Sequence, residues 1–237
     1  MYTNKRLKHV MTTPRKHTAH AGLVVVLVCI VLTGCMTTRV EENKHAATGI
    51  RAEESIVIIE ASYNTGNETE DSFVDCVTKA VQKGRRAIRV YPDEAFVNDL
   101  FPWFEARTMP RGPDGLPGLL EHTGVKDRIR ASGVRYIVWL NGDTERTSSG
   151  GSLSCAVGPG GGGCFGLAWW ESDSTYKAAI WDIEDGEAVG VVSAAVKGTS
   201  MIPAVIVPLP LIARTQSAAC KGLARELQDF IVNEGPY

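Results

Sequence analysis

Residues 21–32 form an unbroken apolar run of 12 residues, Ala-Gly-Leu-Val-Val-Val-Leu-Val-Cys-Ile-Val-Leu. As a helix it would rise only about 18 Å, against roughly 30 Å of bilayer hydrocarbon. It is too short to span. Lys5, Arg6, Lys8, Arg15 and Lys16 precede it, and no Asp or Glu occurs before position 35. A basic flank, a short apolar core and a small-residue exit make the layout of a secretory signal peptide over residues 1–34. A start at Met11 would give a basic region of more ordinary length than one at Met1.

The exit reads Leu32, Thr33, Gly34, Cys35, which resembles the lipobox of bacterial lipoproteins. The resemblance implies diacylglyceryl attachment to the Cys35 sulfur, cleavage before Cys35 and acylation of the new amino terminus. Two or three acyl chains at about 0.8 kcal/mol per buried methylene hold a protein on a bilayer stably, so the implied partner is a membrane, through lipid on Cys35. Met36 after the cysteine, rather than Asp, is similar to the outer-membrane sorting pattern, and implies anchorage on the periplasmic face of that membrane. Residues 37–54 show no sustained apolar period, so 35–54 read as a lipidated cysteine and a flexible tether.

Charge argues against one class of partner. The chain has 25 Lys and Arg against 27 Asp and Glu. Without the basic leader the balance falls to about −7, and no Lys/Arg block follows to bind phosphate backbones. Nucleic acid is not an expected partner. The 44% hydrophobic content fits a chain with a packed core.

Cys29 goes with the leader and Cys35 takes lipid, which leaves Cys76, Cys155, Cys164 and Cys220 in an oxidising compartment. Cys155 and Cys164 bracket a flexible Gly-rich segment, and closing so short a loop contributes roughly 2.5 kcal/mol in the chain-entropy model. Cys76 and Cys220 each lie on the buried stripe of a predicted helix. They form either a bridge between those helices or two inert buried thiols. There is no C-x-x-C and no nearby His pair, so neither metal site nor cofactor is expected.

Residues 55–237 read as one domain. Strands are predicted at Ser55 to Glu60, Arg86 to Tyr91, Val134 to Asn141, Phe165 to Trp170, Tyr176 to Ile183 and Glu187 to Lys197. Helices are predicted at Thr69 to Lys83, after Pro92, at Gly118 to Ser132 and at Ser217 to Asn233. The Gly- and Ser-rich stretch before Phe165 reads as a loop, and Met201 to Ala213 as an apolar crossing broken by prolines. The expected fold is α/β: a three-layer-like domain with a mixed sheet in the order β-α-β-α-α-β-β-β-α, flanked by helices. With Ser55 to Glu60 as first strand, Gly133 to Leu140 as the strand after the helices, and Trp181, Asp182 and Gly186 in a hairpin, it resembles CsgG-like and LpoB-like periplasmic lipoproteins. That resemblance implies scaffolding of envelope assembly, regulation of a cell-wall enzyme, or a secretion pore.

Catalytic signals are thin. Gly158 to Gly163 satisfies G-x-G-x-x-G only as any glycine run does, and residues of strand type follow where a dinucleotide fingerprint needs a helix. Of the histidines, His122 is the only candidate base in the folded part, and no G-x-S-x-G elbow occurs. An enzyme is not expected. Three prolines in Met201 to Ala213 forbid a regular helix or central strand, so Val205, Val207, Leu209 and Leu211 either pack on the domain's own helices or meet a partner. Phe101, Trp103 and Phe104 form a second apolar cluster. Trp169 and Trp170, being adjacent on a strand, point to opposite faces. These aromatic and aliphatic residues are the candidate contact surface. The expected function is a non-catalytic interaction or assembly factor for the envelope, with an envelope protein as partner. Its rivals are a secretion-pore subunit, disfavoured because residues 143–164 read as too Gly-rich and short for two membrane strands, and a periplasmic enzyme.

Overall fold

The computed structural model describes residues 36–60, 69–105, 108–110 and 112–232. The leader and Cys35, on which the expected lipid falls, lie outside the described residues. The fold is mixed α/β. One sheet carries β1 (Met36–Lys44), β2 (Ser55–Glu60), β3 (Val90–Tyr91), β4 (Val134–Gly158), β5 (Gly161–Asp182) and β6 (Glu187–Pro208), in the spatial order β1-β6-β5-β4-β2-β3. Its helices are α1 (Asp71–Val81), α2 (Asp93–Asp99), α3 (Leu116–Leu120), α4 (Val125–Ala131) and α5 (Thr215–Val232). Strands β2, β3 and β4 pair in parallel, while β4, β5, β6 and β1 pair antiparallel.

The two-residue period of the strands sorts side chains between two cores. Ile56, Ile58, Tyr136, Val138, Leu140, Tyr176 and Val192 pack with Phe73 and Val77 of α1 and Leu223 and Leu227 of α5. Their neighbours Val57, Ile59, Ile137 and Trp139 pack with Phe96 of α2 and Leu100 just after it, Leu119 of α3 and Ile129 of α4. Each fully buried Leu, Ile or Phe contributes roughly 1.5–3 kcal/mol. Strand β2, buried along almost its whole length, matches the continuous apolar run of its sequence. The helix predicted over 118–132 is divided in two: Gly124, at φ 85°, lies between α3 and α4.

Residues 36–44 are not a flexible tether. They form an edge strand antiparallel to β6, from Met36 opposite Gly198 to Lys44 opposite Gly190. Only Val40 and Lys44 are even partly buried, so no apolar alternation announces the strand. Backbone pairing forms it, and Arg39, Glu41 and Glu42 suit an edge that must stay soluble. The chain then crosses the end of α5, where the Lys44 ammonium donates to the Phe230 carbonyl at 3.0 Å and the Thr48 hydroxyl donates to the same oxygen. A cation there offsets the negative end of the helix. Burial lowers the Lys44 pKa from its ordinary value.

The β5–β6 hairpin explains its own Trp-Asp-x-x-x-Gly signature. Asp182 is fully buried; its Oδ1 accepts the backbone N–H groups of Glu184 and Asp185, and its Oδ2 accepts Arg135 Nε at 3.1 Å and Nη2 at 2.6 Å. Arg135 also pairs with Glu184. Gly186 supplies the positive φ that closes the turn.

Larger departures occur in the other direction along these strands. Residues 142–164, read as a Gly- and Ser-rich loop, lie within β4 and β5, which pair down to Gly158 opposite Gly161. A bulge between Arg146 and Ser148 shifts the register once. The glycines are strand residues rather than loop residues. A Cβ on Gly151 would lie 2.0 Å from the Leu167 carbonyl oxygen, and one on Gly166 would lie 2.2 Å from that of Ser152. The crossing at 201–213 likewise begins as the outer half of β6. Pro203 fits because Met201 exchanges both backbone hydrogen bonds with Leu211, so positions 201 and 203 turn their N–H side away from β5. The Pro203 carbonyl accepts from Leu209 N–H.

A polar network joins this outer half to the core. The Glu70 carboxylate, at the start of α1, accepts Thr144 N–H at 3.0 Å and the Tyr176 hydroxyl at 2.7 Å. Thr144 Oγ1 also meets Ser174 and Tyr176, and Ser174 donates to Thr215 at the start of α5. The Tyr176 ring stacks on Phe73 at 3.4 Å between centroids.

Two disulfides are present, Cys76–Cys220 between α1 and α5, and Cys155–Cys164 across β4 and β5. The first closes a loop with a sequence separation of 144, which in the chain-entropy model contributes about 5 kcal/mol. Replacing Cys76 and Cys220 together by Ala is therefore expected to lower stability by up to about 5 kcal/mol, read from urea unfolding, with m rising because the unfolded chain without the crosslink is more expanded.

Burial raises the Tyr176 phenol well above its ordinary pKa of 10.0, and it raises the Tyr136 phenol as well. A folded phenol that keeps its proton where the unfolded chain loses it contributes stability that is complete below about pH 10 and lost as pH rises toward the folded value. The urea midpoint is expected to fall above about pH 10. Tyr176→Phe is expected to cost about 1–2 kcal/mol at neutral pH and to make that alkaline fall shallower.

Candidate functional site

The outer halves of β4, β5 and β6 form a three-stranded ribbon beyond the helices. Its chemistry changes at one transverse line. Glu145, Asp173 and Lys197 lie in one row across the three strands, with Lys197 Nζ 2.7 Å from Asp173 Oδ2. Arg146, Ser172, Gly198 and Met36 make the next row. Glu171, opposite Ser148 and Thr199, is the last charge. Beyond it no Asp, Glu, Lys, Arg or His occurs in 147–170 or in 198–213.

Past the line come the tryptophans, then large aliphatic chains. Trp169 lies opposite Gly150 and Met201, and a Cβ on Gly150 would sit 3.0 Å from the Trp169 ring. Trp170 belongs to the opposite face, where the Arg146 guanidinium lies 5.3 Å from its ring. Alternation puts Leu167, Phe165, Met201 and Val205 on the Trp169 face, and Leu153, Val157, Ile202, Ile206 and the disulfide on the other. Phe165 is 75% exposed, Val205 74% and Val157 91%. Apolar side chains this large, exposed and contiguous, are uncommon on a monomer's surface.

The strands differ in polarity. Most of the large side chains are on β5 and β6, whereas β4 contributes Ser148, Ser149, Gly150, Gly151, Ser152 and Ser154 beside Leu153 and Val157. The outer edge of β6 is capped by the return of the chain through Leu209 and Leu211. On β4, pairing with β2 stops at Leu140, and beyond it no described strand covers that edge.

The structure separates the residues of the expected contact surface. Val205, Val207 and Leu209 are exposed on or just after β6, and Leu211 is half-buried in its bridge to Met201. Trp169 and Trp170 are half-buried at the ribbon's base. Phe101 is exposed elsewhere, after α2, and Trp103 is half-buried beneath the Arg128 guanidinium, 5.3 Å from its ring. Phe104 is a correction: it is 1% exposed and packs edge-on against Phe96, 5.4 Å between centroids, so it belongs to the second core. Leu153, Val157, Phe165, Leu167, Met201, Ile206 and Ile212 are exposed and lie outside the expected set. The two long charge-free stretches are the signal that points to them.

Pro159 and Gly160 form the ribbon's turn, and Gly158 and Gly161 to Gly163 belong to the strands on either side of it. No helix follows whose N–H groups could hold a pyrophosphate. His122 is exposed, its ring 6.3 Å from that of Trp103. Among the described residues no group of three or more His, Cys, Asp or Glu is placed to hold a metal. No described helix is long and apolar enough to cross a membrane, which leaves strands out of account.

No protein-family model matches the chain, and no curated protein matches it. Among solved structures, the dodecamer of a PelC point variant from Paraburkholderia phytofirmans is similar at 13% identity, covering 85% of this chain and 100% of the other, with a TM-score of 0.34. A second PelC dodecamer from the same organism is similar at 13% identity over 84% and 99%, also at 0.34. Likeness at that level carries no conclusion about this chain.

Proposed function

We propose that this chain is an outer-membrane lipoprotein of the periplasmic face, held by lipid on Cys35, that works as a non-catalytic interaction or assembly factor of the envelope. The observation that carries the reading is the position of Met36. It is one peptide bond from Cys35, and it pairs with Gly198 on the same transverse line at which charge disappears from the sheet. A lipid at Cys35 therefore places the bilayer next to the charge-free ribbon rather than next to the charged body. The finer α/β arrangement, with α1 and α5 on one face of the sheet and α2 to α4 on the other, leaves that body free to meet an envelope protein. Phe101 and Trp103 are the side chains for that contact.

A second reading, a subunit of a secretion pore, is favoured by two observations. Beyond the charge line each of the three strands runs for about ten residues, the length of a transmembrane β-strand. The uncovered β4 edge would also need a partner in hydrocarbon, which neighbouring copies would supply. The Gly-rich composition of 143–164 does not count against this reading, since those residues pair as strands.

Labelled palmitate is expected to follow the protein into the outer-membrane fraction, and Cys35→Ser to abolish both labelling and cleavage of the leader. Unlabelled protein, or an intact leader on protein inside the cell, would sink the proposal. Crosslinking in intact cells separates the two readings: one recovered envelope protein fits the interaction factor, and a ladder of self-crosslinked copies fits the pore.

A further inference from the structure

The ribbon has three properties that a merely exposed loop would lack. Its polarity is layered along the strands: a row of charges, then two tryptophans, then large aliphatic and aromatic side chains up to an uncharged turn. This is the order met on going from water through the interfacial zone into hydrocarbon, where indole rings collect at the boundary. Its polarity is also graded across the strands. Beyond the line β4 contributes mainly Ser and Gly, with Leu153 and Val157 as its large apolar side chains, while β5 and β6 carry Trp169, Leu167, Phe165, Met201, Val205 and Ile206. Lastly, the backbone follows the same gradient. The outer edge of β6 is capped by hydrogen bonds between Met201 and Leu211 and from Leu209 to Pro203, whereas the edge left uncapped among the described residues is the serine-rich one.

We propose that the ribbon lies obliquely in the leaflet that carries the Cys35 lipid, its β5 and β6 side chains among the acyl chains and the β4 edge toward the headgroups. The occupant of the apolar surface is bilayer lipid. Chain geometry selects it over a second copy or a soluble partner: Met36, the residue after the lipid-acceptor cysteine, lies beside Gly198, at the level where the ribbon begins. A lipid attached one residue earlier holds the membrane against this surface. The uncapped β4 backbone remains hydrated, as it must, because unpaired N–H and C=O groups are not tolerated in hydrocarbon. Arg146 and Glu171, the last charges toward the tip, mark the depth beyond which the ribbon does not sink.

The ribbon would thus be a second membrane contact, able to fix the orientation of the body, which one flexible lipid attachment cannot do. The inference rests on the proposed anchorage at Cys35, and the two are tested separately. In intact cells, a photoreactive benzoyl-phenylalanine is placed at position 165, 205 or 209, and at 152 or 173 for comparison, in the full chain. Phospholipid adducts, identified by mass spectrometry, are expected at 165, 205 and 209 at yields on the order of tenfold above those at 152 and 173. Equal yields at all five positions, or adducts at 165, 205 and 209 to protein rather than phospholipid, would overturn the proposal. Palmitate labelling reports the anchor independently. Labelled protein without phospholipid adducts ends this inference and leaves the anchor standing; adducts on unlabelled protein support the ribbon contact and remove the anchor.

Discussion

The continuous antiparallel pairing of β4, β5 and β6 is the constraint on which the rest of the molecule depends. Strands β4 and β5 supply side chains to both cores and β6 to the first, and all three then run on beyond the helices without ending. Because the ladder is continuous, the ribbon inherits its direction and twist from a packed body rather than from a linker. A charge boundary on three strands can then lie in register, since each residue's neighbours are set by backbone hydrogen bonds and not by loop conformation.

The base of the ribbon shows how that rigidity is secured. Glu70 and Thr215 open the helices on one face, Thr144 and Ser174 lie where the strands leave the core, and Tyr176 joins them through its hydroxyl while its ring stacks on Phe73. Each member finds a partner, as half-buried polar groups must. The Cys76–Cys220 bridge ties α1 to α5 on the same face. At the far end, Cys155–Cys164 locks β4 to β5 close to the turn, where a two-stranded ribbon in water would otherwise fray. The two bridges thus hold opposite ends of one device.

Legibility in the sequence follows the way each element is stabilised. Strand β2 and helices α1 and α5 carry their apolar periodicity openly, because each buries a stripe against a core. The Asp182 hairpin is visible in its turn residues. Strand β1 is not, since exposed charged and polar residues flank Val40 on both sides and only pairing with β6 makes it a strand. Residues 142–164 read as a loop because glycine usually signals one, whereas here close backbone approach demands it at Gly142 and Gly151. In sequence Phe104 is equivalent to Phe101 and Trp103, and only packing against Phe96 distinguishes it.

By itself the sequence determined the α/β class and the local Cys155–Cys164 pairing, because each is written in short-range composition and spacing, and the proposed lipid anchor rests on the same kind of local signal. The tertiary structure alone decided that 142–164 and 201–208 are partners in one ribbon, that their charge-free stretches begin on a common line, and that Met36 lies on that line. The reason is that strand register is a property of pairs of segments: hydrogen bonds between distant residues set it, and no local pattern in any one segment encodes it.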